Sequence, residues 1–176
     1  MKAKGQDPAK AGTWVIVALG SNLGDSRGNV LEAMERLSGF ADGPMLKSSL
    51  WETAPVGCPP ESPWFVNAVV GFRPRAGETP ESLLNKLQTL EKEFGRQPKK
   101  MPNEPRPLDL DLIAFAGELR KGEFLTLPHP RAHERRFVVR PLAEILPDLI
   151  LPGQGRTAAE LLDLLPAGES LERLDG

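Results

Sequence analysis

The most informative segment of this chain is Pro105-Arg106-Pro107-Leu108-Asp109-Leu110-Asp111-Leu112. Its leucines alternate with its aspartates, and a period of two is typical of a β-strand with one buried face. Asp109 and Asp111 therefore share a face and lie about 6–7 Å apart, which is the rise of two strand residues. That spacing suits a hard divalent cation, or two cations about 3.5–4 Å apart. A plain amphipathic strand with its polar face in water would alternate in the same way, although Asp is uncommon in strands.

Composition restricts the class of protein. The chain has 176 residues and a formal net charge of −2, so we expect one domain with no general attraction to nucleic acid or membranes. Cys58 is the only cysteine, which excludes a disulfide or a Cys-based zinc site within one chain and fits a reducing cytoplasmic setting. No apolar run approaches the ~18 residues that span a bilayer. We expect a disordered polar leader at 1–12, one domain at 13–166 and a tail at 167–176.

Hydrophobic patterns predict the element order β-α-β-β-α-β. A buried strand at Trp14–Leu19 precedes a helix whose apolar stripe contains Val30, Leu31, Met34 and Leu37. The remaining core elements are strands at Met45–Thr53 and Phe65–Phe72, a helix capped by Thr79 with Pro80 at its first position, and the Asp109/Asp111 strand. This order predicts an α+β, ferredoxin-like fold, in which a mostly antiparallel sheet carries two helices on one face.

A C-terminal extension follows the predicted core. Leu125–His129 is expected to be extended, and Phe137–Ile145 is expected to form a helix. A capping box at Thr157-Ala158-Ala159-Glu160 opens a further helix through Leu165.

Two arginines stand beside these ordered elements. Arg96 follows the second helix, and Arg106 precedes the aspartates with a proline on each side. A guanidinium presents a planar fork that binds phosphate oxygens by paired hydrogen bonds, so its combination with metal-binding oxygens indicates phosphate chemistry. Lys99 and Lys100 of the intervening loop are expected to be solvated surface charges.

The only two histidines, His129 and His133, are four residues apart. That spacing on a helix suits zinc, but Pro130 interrupts helical geometry and no third ligand is evident. We therefore expect His129 to donate a hydrogen bond to a phosphate, and His133 to lie at the surface.

Phe65 and Asn67 share a face of their predicted strand. A flat heterocycle can stack on the phenyl ring and hydrogen-bond to the amide. A core phenylalanine beside a surface-facing asparagine would give the same pattern.

Taken in order, these segments resemble the 6-hydroxymethyl-7,8-dihydropterin pyrophosphokinase family of folate biosynthesis, over about residues 14–165. The matching segments are Ala18-Leu19-Gly20-Ser21-Asn22-Leu23-Gly24-Asp25, Thr53-Ala54-Pro55-Val56-Gly57, Phe65-Val66-Asn67-Ala68, Glu91-Lys92-Glu93-Phe94-Gly95-Arg96, Pro105 to Asp111, Pro128-His129-Pro130-Arg131 through Phe137, and Pro141-Leu142-Ala143-Glu144-Ile145. The resemblance implies that ATP gives its β,γ-pyrophosphoryl group to the hydroxymethyl oxygen of the pterin, that AMP leaves, and that two Mg²⁺ ions take part.

The resemblance also implies residue roles. Asp109 and Asp111 hold both metals, and Arg96 and Arg106 act with them as catalytic residues at the ATP phosphates. The implied nucleotide-binding residues are Gln88, Glu91, Arg96, Arg106, Leu112, Thr126, Leu127, His129 and Arg135. The implied pterin-binding residues are Thr53, Ala54, Val56, Gly57, Phe65, Asn67, Asp109 and Phe137, and the two phenylalanines sandwich the ring.

Two other classes of function are alternatives to the pyrophosphokinase hypothesis. A non-catalytic RNA-binding module can use strand aromatics on a ferredoxin-like sheet, but few aromatics are expected on the exposed face and paired aspartates repel a phosphate chain. A Mg²⁺-dependent nucleotide hydrolase would use the same metal site with water. We further expect a monomer, small-molecule substrates only, and a lid formed by residues 98–105, whose Pro/Lys composition lies between Arg96 and Arg106.

Overall fold

The computed structural model describes residues 14–54, 61–97, 104–166 and 170–174. Its elements are β1 (Val15–Ser21), α1 (Ser26–Ser38), β2 (Leu46–Lys47), β3 (Trp51–Thr53), β4 (Phe65–Phe72), α2 (Pro80–Glu93), β5 (Asp109–Phe115), β6 (Arg120–Lys121), β7 (Thr126–Leu127), α3 (Arg136–Ile145), α4 (Ala158–Leu164) and β8 (Leu171–Arg173). A short 3-10 turn at Ala132–Glu134 precedes α3. The expected leader at 1–12, Cys58, and residues 98–103 of the expected lid lie outside the described residues.

The main sheet confirms the predicted ferredoxin-like topology. Its strand order is β5-β1-β4-β3-β8, and β2 also pairs with β4. β1 lies in the middle and runs antiparallel to both neighbours, so Leu19 pairs with Ala68 on one side and Leu110 on the other. Every residue of β1 is buried, as its continuous apolar sequence predicts.

Helices α1 and α2 cover one face of this sheet. The largest fully buried side chains between them and the strands are Phe72, Leu19, Leu37, Leu83, Leu87, Leu90 and Leu108. α2 begins as predicted, because the Ser82 N–H donates to Thr79 Oγ1 while the Thr79 N–H donates to Ser82 Oγ. The stripe of α1 is narrower than predicted. Leu31 is 44% exposed because it lies 100° around the helix from the buried Val30.

Helices α3 and α4 cover only half of the opposite face. Ile16, Val69 and Ile113 of the sheet are buried there against Val138 and Leu142 of α3. The other half of this face carries the alternate residues at the C-terminal end of β1 and the adjoining ends of its neighbours, namely Gly20, Phe65, Asn67, Asp109 and Asp111. The C-terminal extension therefore leaves part of the second face free for a site.

The second strand is divided, where the sequence predicted one strand from Met45 to Thr53. Residues 48–50 separate β2 from β3, and the Oγ of Ser48 accepts a hydrogen bond from the Val69 N–H. The next backbone N–H, that of Ser49, donates to the Glu144 carboxylate instead of to a strand. Side chains thus replace strand partners at this point, and the ladder breaks.

The tail contains a strand that the sequence analysis did not assign. β8 pairs antiparallel with β3, and the Leu174 N–H donates to the Leu50 carbonyl at 2.8 Å. It covers the edge of β3 that would otherwise be exposed.

None of the helices in the described part of the chain is long and apolar enough to cross a membrane.

Candidate active site

Asp109 and Asp111 lie on the half-open face beside the smallest residues of β1. Gly20 pairs with Asp109, and Ala18 pairs with Asp111. A Cβ added at Gly20 would lie only 3.1 Å from the Asn67 Oδ1. The glycine therefore keeps the floor of the site open between the aspartates of β5 and the polar residues of β4.

A buried carboxylate joins α2 to the outer edge of the acidic strand. Glu91 is 9% exposed, and its Oε2 accepts hydrogen bonds from the Leu110 N–H at 2.8 Å and from Arg96 Nη1 at 2.6 Å. The same Arg96 nitrogen donates to Asp109 Oδ1 at 2.8 Å. Burial would lower the pKa of Arg96, but the two carboxylates outweigh it and raise that pKa above its usual value. Arg96 is therefore a permanent cation that links α2 to β5.

Arg106 approaches Asp109 from the opposite side. Its Nη1 lies 3.7 Å from Asp109 Oδ2, and its guanidinium carbon lies 5.5 Å from the centre of the Phe65 ring. No described residue accepts a hydrogen bond from its buried Nε. A buried donor without an acceptor is costly, so this guanidinium is suited to an incoming anion.

The pKa of the Asp111 carboxyl is unusually high. Burial is the main cause that raises its pKa to about 7, and the charges of Asp109 and Glu91 add to it, whereas Arg135 and Arg106 act in the opposite direction. Burial likewise raises the pKa of Glu91, despite its hydrogen bonds. A further cation at the site would therefore favour the ionised forms of Asp111 and Glu91.

The donor set fits Mg²⁺ bound together with an anionic substrate. Asp109 and Asp111 present two carboxylates on one face of β5, as the alternation predicted, and carboxylate oxygens are the ligands that Mg²⁺ prefers. Within the described residues, no three His, Cys, Asp or Glu side chains form a group that could hold a metal alone. Mg²⁺ commonly keeps water and substrate phosphates in its shell, so two carboxylates suffice when a polyphosphate supplies further oxygens.

His129 is positioned as a neutral hydrogen-bond donor. Its backbone N–H donates to the Ile113 carbonyl at 2.8 Å, which holds the residue against β5, and its ring Nδ1 accepts from the backbone N–H of Arg131 at 3.2 Å. Burial and the charge of Arg135 lower the pKa of His129. The neutral ring therefore carries its proton on Nε2, which is free of this contact and suited to a phosphate oxygen. Arg135 stacks on Phe137, with 5.6 Å between the guanidinium carbon and the ring centre.

Thr53, Phe65 and Asn67, which the sequence predicted to bind the pterin, lie on β3 and β4, across Gly20 from the aspartates of β5. Asn67 and Thr53 are both buried, and the Asn67 amide donates to Thr53 Oγ1 at 2.7 Å. Phe65 is half-buried at the start of β4, and Phe137 is half-buried in the first turn of α3. Ala54 follows β3 directly, whereas Val56 and Gly57 lie outside the described residues.

The predicted nucleotide-binding residues are less closely grouped. Gln88 is exposed on α2, and Thr126 is half-buried in β7. The side chains of Leu112 and Leu127 are buried in the cluster under α1 and α2, on the face away from the aspartates. Any contact of these two residues with a nucleotide therefore involves their backbone or the edge of β5.

Sequence reasoning gave no role to three residues that support the site. Gly20 keeps its floor open, while Asn22 and Asn29 bind the segment that carries Arg106. The sequence did give one indication for Asn22, because it lies in one of the segments that resemble the family. Its partner, however, lies 84 residues further along the chain, and no local pattern reveals such a contact.

Comparisons with known proteins identify relatives of this chain. The chain is 38% identical over 163 residues to the 2-amino-4-hydroxy-6-hydroxymethyldihydropteridine pyrophosphokinase of Pseudomonas aeruginosa, covering 92% of this chain and 97% of that protein. It is 37% identical over 149 residues to the folic acid synthesis protein fol1 of Pneumocystis carinii, covering 85% of this chain. It spans only 20% of that protein and 27% of a folate synthesis bifunctional protein of Arabidopsis thaliana, because these relatives are much longer.

Solved structures agree on the fold. A crystal structure of HPPK-DHPS in complex with substrates superposes with a TM-score of 0.66 over 86% of this chain and 45% of that chain, at 12% identity. At this identity the likeness shows the fold alone. The family model of 7,8-dihydro-6-hydroxymethylpterin-pyrophosphokinase (HPPK) matches residues 16–147. The chain thus belongs to the 7,8-dihydro-6-hydroxymethylpterin-pyrophosphokinase family.

Proposed function

We propose that this domain transfers the β,γ-pyrophosphoryl group of ATP to the hydroxymethyl oxygen of 6-hydroxymethyl-7,8-dihydropterin, giving the pterin diphosphate and AMP. The observation that carries the proposal is the arrangement of Arg96 and Arg106 around Asp109, with Asp111 on the same face. Paired carboxylates flanked by fixed guanidinium groups suit a polyphosphate that arrives with divalent cations. Family membership and the named pyrophosphokinase relatives support the choice of substrates.

Asp109 and Asp111 would hold two Mg²⁺ ions, whose chemistry is to neutralise the triphosphate and orient its β-phosphorus for in-line attack. Arg96 and Arg106 both pair with Asp109 in the structure. Their guanidinium groups would bind the phosphate oxygens of ATP and would stabilise the charge that develops during transfer.

The transfer makes one bond and breaks one. The hydroxymethyl oxygen bonds to the β-phosphorus, the bond from that phosphorus to the oxygen bridging the α-phosphate breaks, and the hydroxyl proton is released as AMP leaves. A hydroxymethyl group is a weak nucleophile, so positioning must supply much of the rate enhancement. His129 would donate from Nε2 to a phosphate oxygen, and Arg135 would add positive charge beside it.

The pterin would bind on the open floor beside Gly20. Its ring stacks between Phe65 and Phe137, and its polar edge meets the Asn67–Thr53 pair. Burial of this pair strengthens recognition, because an analogue without matching donors and acceptors would leave buried polar groups unpaired.

We also propose that one copy of the chain is sufficient, because β4, β5, α2 and α3 of a single chain supply the site. We propose a cytoplasmic location, where ATP is available.

A product assay tests the proposal. The purified protein is incubated with ATP, Mg²⁺ and the hydroxymethyl pterin, and the products are separated by chromatography. We expect equal amounts of AMP and pterin diphosphate. Asp109→Asn and Asp111→Asn should each reduce transfer by about 100-fold or more, the scale of losing one electrostatic stabiliser. Asp163→Asn, at an exposed position of α4, is the matched control and should be fully active.

Three results would contradict the proposal. ADP or AMP formed without the pterin would indicate a hydrolase. The absence of AMP with all three reactants present would exclude the transfer. Full activity of both folded site variants would remove the aspartates from the mechanism.

A further inference from the structure

We propose that Asn22 and Asn29, here called the amide clamp, are positioning residues that hold Arg106 in place without touching either substrate. The hydrogen bonds that define the clamp are present in the folded chain, whereas its effect on turnover rests on the proposed function.

Asn22 makes a paired contact with the backbone of Arg106. Its side-chain Oδ1 accepts from the backbone N–H of Arg106 at 2.9 Å, and its backbone N–H donates to the Arg106 carbonyl at 3.1 Å. Its amide nitrogen also donates to the Pro63 carbonyl at 3.3 Å. Asn22 is 1% exposed, so this polar side chain is buried among its partners.

Asn29, in the first turns of α1, holds the same segment one residue further on. Its amide nitrogen donates to the Pro107 carbonyl at 3.1 Å and to the Leu23 carbonyl at 3.2 Å. α1 is anchored in the core by its buried stripe, so Asn29 ties the arginine segment to a rigid element.

The sequence around Arg106 explains why the clamp is needed. Pro105 and Pro107 have no N–H, so the segment cannot continue the ladder of β5. Arg106 supplies the only backbone N–H of this triplet. The Asn22 side chain accepts a hydrogen bond from that N–H, and the Asn22 backbone N–H donates to the Arg106 carbonyl. The guanidinium is thereby aimed from a fixed backbone toward Asp109.

The clamp also joins the two halves of the site. The Pro63 carbonyl lies two residues before Phe65, and the Arg106 guanidinium stacks over the Phe65 ring at 5.5 Å. Asn22 therefore holds the arginine of the phosphate side in register with the aromatic ring of the pterin side. Loop asparagines that only stabilise the fold would have no specific link to Arg106.

A double-mutant cycle separates these roles. kcat is measured with ATP, Mg²⁺ and the hydroxymethyl pterin at saturation for Asn22→Ala, Asn29→Ala and Arg106→Ala, and for each asparagine variant combined with the arginine variant. We expect Asn22→Ala to lower kcat by about 10- to 100-fold and Asn29→Ala by about 3- to 10-fold, because small misplacements of a positioned group are costly. In the Arg106→Ala background each should change kcat by less than about twofold, since the group that they position is absent.

Hydrogen exchange supplies a readout that does not depend on turnover. The Arg106 N–H, followed by NMR, should exchange at least about tenfold faster in Asn22→Ala than in the wild type. Asn85→Ala, at an exposed position of α2, is the matched control and should change neither kcat nor this exchange rate. Asn29 is only half-buried, so its variant carries the cycle if Asn22→Ala does not fold.

Each outcome decides between the alternatives. Losses that multiply fully with that of Arg106→Ala, or an unchanged exchange rate at Arg106, would overturn the clamp. If the wild type forms no pterin diphosphate, the proposed function fails instead, and the exchange rate alone then supports or overturns the anchoring of Arg106.

Discussion

Gly20→Ala places a single methyl group on the floor of the site. Its Cβ would lie 3.1 Å from Asn67 Oδ1 and 3.7 Å from Phe65 Cδ1, and the first distance is tighter than ordinary van der Waals contact. The Asn67 amide must therefore move by a few tenths of an ångström. It is already held by its 2.7 Å bond to Thr53, so this movement disturbs the polar pair that we expect to recognise the pterin edge.

The size of the effect follows from these contacts. Weakening one hydrogen bond to the ligand costs about 0.5–1.5 kcal/mol, and the methyl group takes up space that the ring would use. We therefore expect pterin affinity to fall by about 1–2 kcal/mol, which is about 5- to 30-fold in Kd. The fold should not weaken, because Gly20 has no left-handed backbone conformation and Gly→Ala restricts the unfolded chain.

Calorimetry measures this directly. The hydroxymethyl pterin is titrated into protein that contains Mg²⁺ and a non-hydrolysable ATP analogue, and thermal unfolding is followed in parallel. Gly71→Ala is the matched control on the same sheet face, where an added Cβ would stay 3.4 Å from Ile16 and Leu146. Equal pterin affinity in wild type and Gly20→Ala would refute the placement of the ring beside Gly20, as would an equal loss in the control.

Two further predictions concern acidic side chains, the buried Glu91 and the exposed Glu144. Glu91→Gln keeps an acceptor for the Leu110 N–H and should cost less than about 1 kcal/mol in urea unfolding, whereas Glu91→Leu leaves that donor unpaired and should cost about 1–3 kcal/mol; equal costs would contradict this. Burial would raise the pKa of Glu144, but hydrogen bonds from Ser49 and Trp51 outweigh it and hold that pKa below 4.5. Its contribution to stability is therefore complete above pH 4.5 and is lost as the pH falls through the lower pKa of the folded state. Because Glu144 is exposed, solvent screening reduces this contribution, so the unfolding free energy of the wild type should exceed that of Glu144→Gln by about 0.5 kcal/mol at neutral pH. A difference that persists unchanged in acid would disprove it.

Local patterns were sufficient for the framework of this fold. The alternation around Asp109 and Asp111 places both carboxylates on one face, and the spacing of Leu83, Leu87 and Leu90 places α2 against the sheet. These features depend on neighbours within a few residues, so periodicity and capping chemistry reveal them.

The features that escaped prediction depend on distant partners. The strand between Met45 and Thr53 breaks because Glu144, 95 residues away from Ser49, accepts its N–H. β8 forms by pairing with the edge of β3 and has no strong pattern of its own. The burial of Asn22 has the same origin, because its partners belong to segments that meet only in the folded chain.

The candidate site likewise combines features that local sequence patterns predict with features that depend on distant contacts. Residue types and spacing predicted a functional role for the acids and arginines, but not the contacts between them. The Arg96–Glu91 bond and the Arg106–Phe65 stack both depend on how α2, β4 and β5 meet. The raised pKa of Asp111 likewise results from burial and from two other carboxylates, which a linear sequence does not bring together.

Asp109 and Asp111 are proposed to bind divalent cations together with a nucleotide. Anomalous diffraction from crystals soaked with Mn²⁺ and a non-hydrolysable ATP analogue tests this proposal most directly. We predict manganese peaks beside both carboxylates, with Arg96 turned from Asp109 to the phosphates. Crystals that bind the nucleotide but show no manganese at either aspartate, and that keep the Arg96–Asp109 bond, would contradict the account.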